Sequence, residues 1–446
     1  MYRQAIEKLI KWKSSPRRKP LIIDGARQVG KTWIVKEFAS KYYENLIYIN
    51  FEEQSALRAL FKNDFNIKRI LLDIEAASYS NINPETSLIF FDEIQEAENG
   101  ITALKYFYEN APQLNIIAAG SLLGIMLHNK ISFPVGKVQF LTLYPMNYIE
   151  FLEALGEDRL AEFIKNEKWD SIKLFSKRYI QLLKQYFYVG GMPEVVKNFI
   201  ETNDWHLVRE IQSDIIESYN YDFSKHAPKD LVPRIQQVWN SLPSQLSKEN
   251  KKFIYGVIRE GARAKEYELA IQWLVDGGLI HKIHNVSVPH LPLAAYKEQS
   301  IFKIYCNDIG LLGCMSGLDS KTIVDGNEIF VEFKGALAEQ YVFQQIIQFS
   351  APFYWSKPNS KQEIDFLLQL KDKIIPIEVK SGENLQAKSL RQFVKENNNI
   401  HAVRLSLSDF RAEEWLTNVP LYCVSALSHN DGAAFNPFRG EGRREG

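Results

Sequence analysis

Apolar residues cluster in four short runs within the first 120 positions: LIID at 21–24, LIYIN at 46–50, LIFFD at 88–92 and IIAAG at 116–120, with helical spacing between them. Strands without a polar face are buried on both sides, which predicts a parallel sheet covered by helices and an α/β fold for residues 1–147. Over 148–299 the pattern lengthens into amphipathic helices, rich in aromatics at 179-YIQLLKQYFYVGGMPEVV, with no strand before about Gly278. There 266-EYELAIQWLVDGGLIHKIHNV predicts a helix stopped at Gly277-Gly278 and then a short alternating strand, the pattern of a winged-helix hairpin. Helix and strand mix again over 300–425, with 335-GALAEQYVFQQIIQF as an amphipathic helix and 363-EIDFLLQL and 374-IIPIEVK as strands around Lys371-Asp372. Residues 426–446 lack apolar periodicity and predict a disordered tail.

Composition adds limits rather than a function. The 446 residues are 46% hydrophobic and 24% charged, ordinary globular values that support several cores. Lys plus Arg and Asp plus Glu both number 54, so a nucleic-acid contact would need a local basic patch. Residues 1–50 hold 11 basic and 4 acidic side chains and residues 51–120 hold 5 and 11, which gathers positive charge around the first strand. The cysteines Cys306, Cys314 and Cys423 make no paired ligand set and a poor disulfide framework, which favours a reducing, cytoplasmic compartment. Charges at Arg3, Glu7 and Lys8 interrupt any export signal, and the longest apolar run, 116–127, is too short to span a bilayer, so no membrane partner is expected.

The sharpest chemical signal is 25-GARQVGKT-32, a GxxxxGKT segment between a strand and a helix. Gly25 and Gly30 let the backbone curl so that the amides of Ala26, Arg27, Gln28 and Val29 and the next helix N-terminus face phosphate oxygens. Lys31 reaches the β and γ phosphates and Thr32 can ligate Mg²⁺, so ATP and Mg²⁺ are the expected cofactors. At the end of the third strand Asp92 would hold the metal and Glu93 would polarise the attacking water.

A second cluster lies in 363-EIDFLLQLKDKIIPIEVK-380. A two-residue turn at Lys371-Asp372 pairs Leu370 with Lys373 and sets Asp365 opposite Glu378, with Lys380 two residues further on the same face. Two acids and a lysine in that order suit metal-dependent phosphodiester cleavage, and Glu339 on the preceding helix would complete the metal site. The competing reading is a charged hairpin edge.

Taken in order, GARQVGKT, LIFFDEIQ, AAGSLLG, YFYVGGMPEVV, KIYCNDIGLL and EIDFLLQLKDKIIPIEVKSG resemble the prokaryotic AAA-type P-loop ATPase family that carries a C-terminal PD-(D/E)XK nuclease-like domain. The resemblance covers nearly the whole chain except the tail. It implies that Ser121 is the polar sensor of the γ-phosphate. Where the family shows a Gly-Arg pair this chain has Gly136-Lys137, and a lysine lacks the bidentate fork of an arginine finger. The expected function is an ATPase coupled to a nuclease-like domain acting on DNA or another nucleic acid. The alternative is a nucleotide-gated switch whose C-terminal domain binds a partner without cutting. A homo-oligomer is open on either reading, and a small-molecule kinase lacks a visible acceptor pocket. His281 and His284 are read as surface histidines, Tyr179, Tyr186, Phe187, Tyr188 and Trp239 as core, Gly190-Gly191 as a helix stop, and 16-PRRK-19 as a solvated strand lead-in.

Overall fold

The computed structural model describes residues 1–121, 123–127, 134, 136–247, 252–319, 331–357, 360, 362–381, 387–397 and 400–428. They divide into two compact units, one made of residues 2–145 with 272–279, the other of the described parts of 146–271 and 280–446.

In the first unit five parallel strands, β1 (Leu21–Asp24), β2 (Asn45–Asn50), β3 (Ser87–Asp92), β4 (Asn115–Ala119) and β5 (Gln139–Thr142), lie in the order β2-β3-β4-β1-β5. Every residue of β3 and β4 is buried, as runs without a polar face require when helices cover both sides. The helices include α1 (Ala5–Lys13), α2 (Lys31–Tyr42), α3 (Ile67–Ser78) and α4 (Gly100–Asn110). Asn66 starts α3 by accepting from the Arg69 amide, and α4 turns Ile101, Leu104 and Phe107 into the core at helical spacing. There Phe91 meets Phe51, Phe61 and Phe107 at ring distances of 5.8 Å. Because the strands are parallel, their carboxyl ends all lie on one edge of the sheet.

The second unit carries the aromatic helices and one mixed sheet. Its strands are β6 (Ile280–Val286), β7 (Lys297–Cys306), β8 (Phe353–Ser356), β9 (Glu363–Leu370), β10 (Lys373–Val379), β11 (Ala402–Ser406), β12 (Arg411–Ala412) and β13 (Leu416–Pro420). Their order is β12-β13-β11-β10-β9-β8-β6-β7. Tyr179, Tyr186, Phe187, Tyr188 and Trp239 are buried, in agreement with a core role.

Several expectations change here. The boundary expected between 299 and 300 runs through β7, and β7 pairs with β6, so the helical middle and the C-terminal segment share one unit. The helix Ala264–Asp276 does lead into an antiparallel hairpin, but β6 and β7 join the eight-stranded sheet instead of standing free as a wing. His281 and His284 are not surface groups: both are half-buried, His281 against Phe343 and His284 against Phe302, and burial pushes each down to about 4. The expected tail begins too early, since Ala426 and Leu427 are buried in the segment Leu421–Ser428; its remainder, 429–446, lies outside the described residues. No described helix is long and apolar enough to cross a membrane.

Candidate functional site

Strand β1 delivers the chain into the 25–32 loop, and α2 leaves it with its N-terminus turned to the same place. Gly25 and Gly30 have φ of 130° and 92°, where an L side chain is strained, and a Cβ on Gly25 would lie 2.2 Å from the Leu143 carbonyl. Gly278 closes on the loop as well, for a Cβ there would lie 3.1 Å from the Ala26 nitrogen. Arg3 fastens the loop from behind, donating to the carbonyls of Val29 at 3.0 Å and Tyr144 at 2.6 Å.

Lys31 is 7% exposed and donates to the Gly25 and Ala26 carbonyls at 2.9 and 2.8 Å. Burial pushes its ammonium down to about 8, against the pull of Glu93, Asp92 and Asp24. Thr32 Oγ1 donates to Asp92 Oδ2 at 2.7 Å, and Tyr48 Oη donates to the same oxygen at 3.1 Å. Burial raises Asp92, while those two hydroxyl donors favour its charged form. The adjoining hydroxyl and carboxylate are hard oxygen donors of the kind Mg²⁺ takes, so Thr32 and Asp92 fit that ion.

Glu93 follows Asp92 with a left-handed φ of 49°, which turns its side chain out of strand alternation. Its carboxylate accepts from Ser121 Oγ at 3.0 Å, from the Ser121 amide at 3.3 Å and from Gln95 Nε2. Lys31, Thr32, Asp92, Glu93 and Ser121 therefore converge at the carboxyl edge of the sheet, where open α/β sheets bind ligands.

Lys137 does not join them. It precedes β5, which runs parallel to β1 with Gln139 opposite Leu21, so it lies at the amino edge of the sheet, away from the loop that follows Asp24. Its ammonium pairs with Glu109 at 3.1 Å and sits over the Tyr108 ring. Lys137, the residue at the position of the family's candidate arginine, therefore does not reach the phosphate loop of its own chain. The sequence reading also passed over Arg3, Tyr48 and Gln95. Gln95 stood inside the quoted LIFFDEIQ, and Tyr48 on an apolar run; nothing in the local pattern marks Arg3.

The β9–β10 hairpin has the expected register, with Lys373 opposite Leu370 and Ile377 opposite Phe366, one step from Glu378 opposite Asp365. Its acids are nonetheless engaged separately. Asp365 Oδ2 accepts from the Val379 amide at 2.7 Å, Lys380 Nζ pairs with Glu378 Oε1 at 2.6 Å, and Glu339 accepts from Tyr305 Oη and pairs with Lys303 at 3.2 Å. Glu378 Oε2 is buried with no hydrogen-bond partner among the described residues. Among those residues no group of three or more His, Cys, Asp and Glu is placed to hold a metal ion, so the set Glu339, Asp365 and Glu378 is not assembled as one.

Three family models match parts of the chain. Residues 17–152 match the AAA domain family, residues 180–322 match a domain of unknown function (DUF8612), and residues 334–424 match another (DUF4143). A search of curated proteins finds no match. Among solved structures, a Walker-type ATPase of Pyrococcus abyssi is 14% identical over 70% of this chain and 95% of its own, with a TM-score of 0.43. The ORC1 protein of Aeropyrum pernix in complex with DNA is 12% identical over 70% of this chain and 90% of its own, at 0.26. Such scores establish no shared fold for the whole chain. The AAA domain match, over residues 17–152, coincides with the five-stranded parallel sheet and its phosphate loop.

Proposed function

We propose that the chain binds ATP with Mg²⁺ at the 25–32 loop and hydrolyses it. The observation that carries this reading is the convergence of Lys31, Thr32, Asp92, Glu93 and Ser121 on one edge of the sheet. Loop amides and the α2 N-terminus hold the phosphate chain, and Lys31 turns from the Gly25 and Ala26 carbonyls to its oxygens. Thr32 and Asp92 would hold Mg²⁺, which when bound neutralises charge on the phosphates. Glu93 orients and polarises the attacking water, Ser121 and Gln95 fix the direction of its carboxylate, and the Ser121 hydroxyl is free to turn to the γ-phosphate.

A nucleotide-gated switch is the form of this activity that the site favours over a fast motor. Lys137, which stands where the family has its candidate finger arginine, is paired with Glu109 at the opposite edge, and a lysine substitutes poorly for the bidentate fork, so slow hydrolysis suits a gate better than a motor. Whether nucleic acid is the coupled partner is decided by the ATPase rate with and without DNA, a salt-sensitive stimulation being the expected sign.

The test of the site compares three proteins. Glu93→Gln should bind ATP with wild-type affinity and lose turnover by about 100-fold or more, the scale of a lost general base. Lys31→Ala should lose binding itself. A Glu93→Gln protein that hydrolyses ATP at the wild-type rate removes the assignment.

A further inference from the structure

Strand β7 carries a lysine where a sheet strand rarely tolerates one. Lys303 is fully buried, and its Nζ lies 2.5 Å from Glu363 Oε1 and 3.2 Å from Glu339 Oε1, with the Tyr354 ring 4.8 Å away. A buried ammonium needs compensating negative charge, and the contacts with Glu339 and Glu363 supply it, with Asp365 on the same strand as Glu363 and two residues from it. Tyr305, two residues on and so on the same strand face, donates to Glu339 as well. Two strands and a helix thus bring three carboxylates around one cation, and that cation belongs to the chain.

Carboxylates clustered in a protein interior need a positive charge among them, because like charges out of water repel and each is poorly solvated. A metal ion is one way to supply it and a buried lysine is another. One ammonium in contact with both Glu339 and Glu363 takes the space a bridging ion would need. The resemblance to PD-(D/E)XK nucleases implies a divalent ion at Glu339, Asp365 and Glu378, and these residues do not fit it. Glu339 is committed to Lys303 and Tyr305, Asp365 to the Val379 amide, and Glu378 to Lys380. The orphaned Glu378 Oε2 is a single oxygen and makes no coordination set.

We infer that Lys303 is the resident cation of this acidic cluster, standing in place of a divalent metal ion, so that the C-terminal domain keeps a nuclease-like hairpin without metal-dependent cleavage. The inference is independent of the ATP reading, since all of its residues belong to the second unit.

Manganese(II) alone, followed by electron paramagnetic resonance on nucleotide-free full-length protein, tests it. Wild type, Glu339→Gln and Asp365→Asn should bind the same amount of Mn²⁺, any weak binding at the phosphate loop being common to all three. Lys303→Met should gain one bound ion per chain, with a thermal midpoint that rises on adding Mn²⁺, and Lys303→Met/Asp365→Asn should lose both gains. DNA incubated with Mn²⁺ and wild type should remain intact. Loss of a bound ion from wild type on Glu339→Gln or Asp365→Asn overturns the inference, and so does a folded Lys303→Met protein that gains none. Should Lys303→Met fail to fold even with Mn²⁺, the wild-type comparison with Asp365→Asn still decides.

Discussion

A lysine buried beside the Gly25 and Ala26 carbonyls would make the proposed nucleotide binding a proton-linked event. Burial pushes Lys31 down to about 8, whereas a bound phosphate chain would favour the charged ammonium and raise it again. Binding therefore takes up a proton once the pH exceeds about 8, and the sign follows: affinity is flat with respect to this group below 8 and falls above it. The decline should approach about one decade per pH unit, as expected when one proton is linked to binding. Calorimetric titration with ATP at pH 7.5 and 9.5, in buffers of different ionisation enthalpy, checks both the affinity and the proton. Equal affinities with no buffer dependence would show that Lys31 is not the group that meets the phosphates. At this scale the sequence was legible where spacing is local: the GKT loop and the Asp-Glu pair are each read within a few residues, and the structure brings Lys31, Thr32, Asp92 and Glu93 to one place. Arg3 and Tyr48 were not legible, because each reaches its partner across the fold, Arg3 to Val29 and Tyr48 to Asp92.

Between elements, two stretches that carried the family resemblance, YFYVGGMPEVV and KIYCNDIGLL, meet in one structural joint. Gly190-Gly191 ends the helix Ser176–Val189, as expected, but the Gly191 amide also donates to Asp308 Oδ2 at 2.6 Å, and a Cβ on Gly191 would lie 2.1 Å from the Met146 carbonyl. Asp308 Oδ1 caps the helix Ile309–Met315 through the Leu311 amide at 3.1 Å, and Gln344 Nε2 donates to Oδ2 at 3.0 Å. One fully buried carboxylate thus satisfies donors from three segments, which explains why VGG and NDIG stand in the sequence without contributing to the phosphate site. Asp308→Ala would strand those donors in the core, and a loss of about 3 kcal/mol is expected from unsatisfied buried partners of a charged group. Asp308→Asn keeps an acceptor oxygen and should lose less. Urea unfolding of both variants measures this, and a loss below about 1 kcal/mol for the alanine variant would count against the joint. Periodicity found these helices because it records which face is apolar. It could not find their joint, which depends on which polar group meets which amide.

On the scale of the whole molecule, chain order and spatial order part company in the second unit. Alternating strand patterns made β9 and β10 legible together with their register, because a two-residue turn fixes how one strand lies on the next. The same patterns put a boundary at 299/300, since residues 148–299 are mostly helical and residues after 300 are mixed. The sheet ignores that change: β6 and β7 pair from Ile280 opposite Cys306 to His284 opposite Phe302, and β6 meets β8 through Asn285 opposite Tyr354. A fragment beginning at residue 300 would begin inside β7 and leave the ladder groups that β6 satisfies unpaired at an apolar sheet edge, an aggregation-prone arrangement. It would also lack Gly191, the partner of Asp308. The 300–446 fragment is therefore expected to give no cooperative thermal transition by circular dichroism, whereas the 146–446 fragment, which holds every strand of that sheet, should give one. A sharp transition and dispersed amide resonances from 300–446 alone would restore the boundary that the composition suggested and would make β6 an accessory to the sheet instead of part of it.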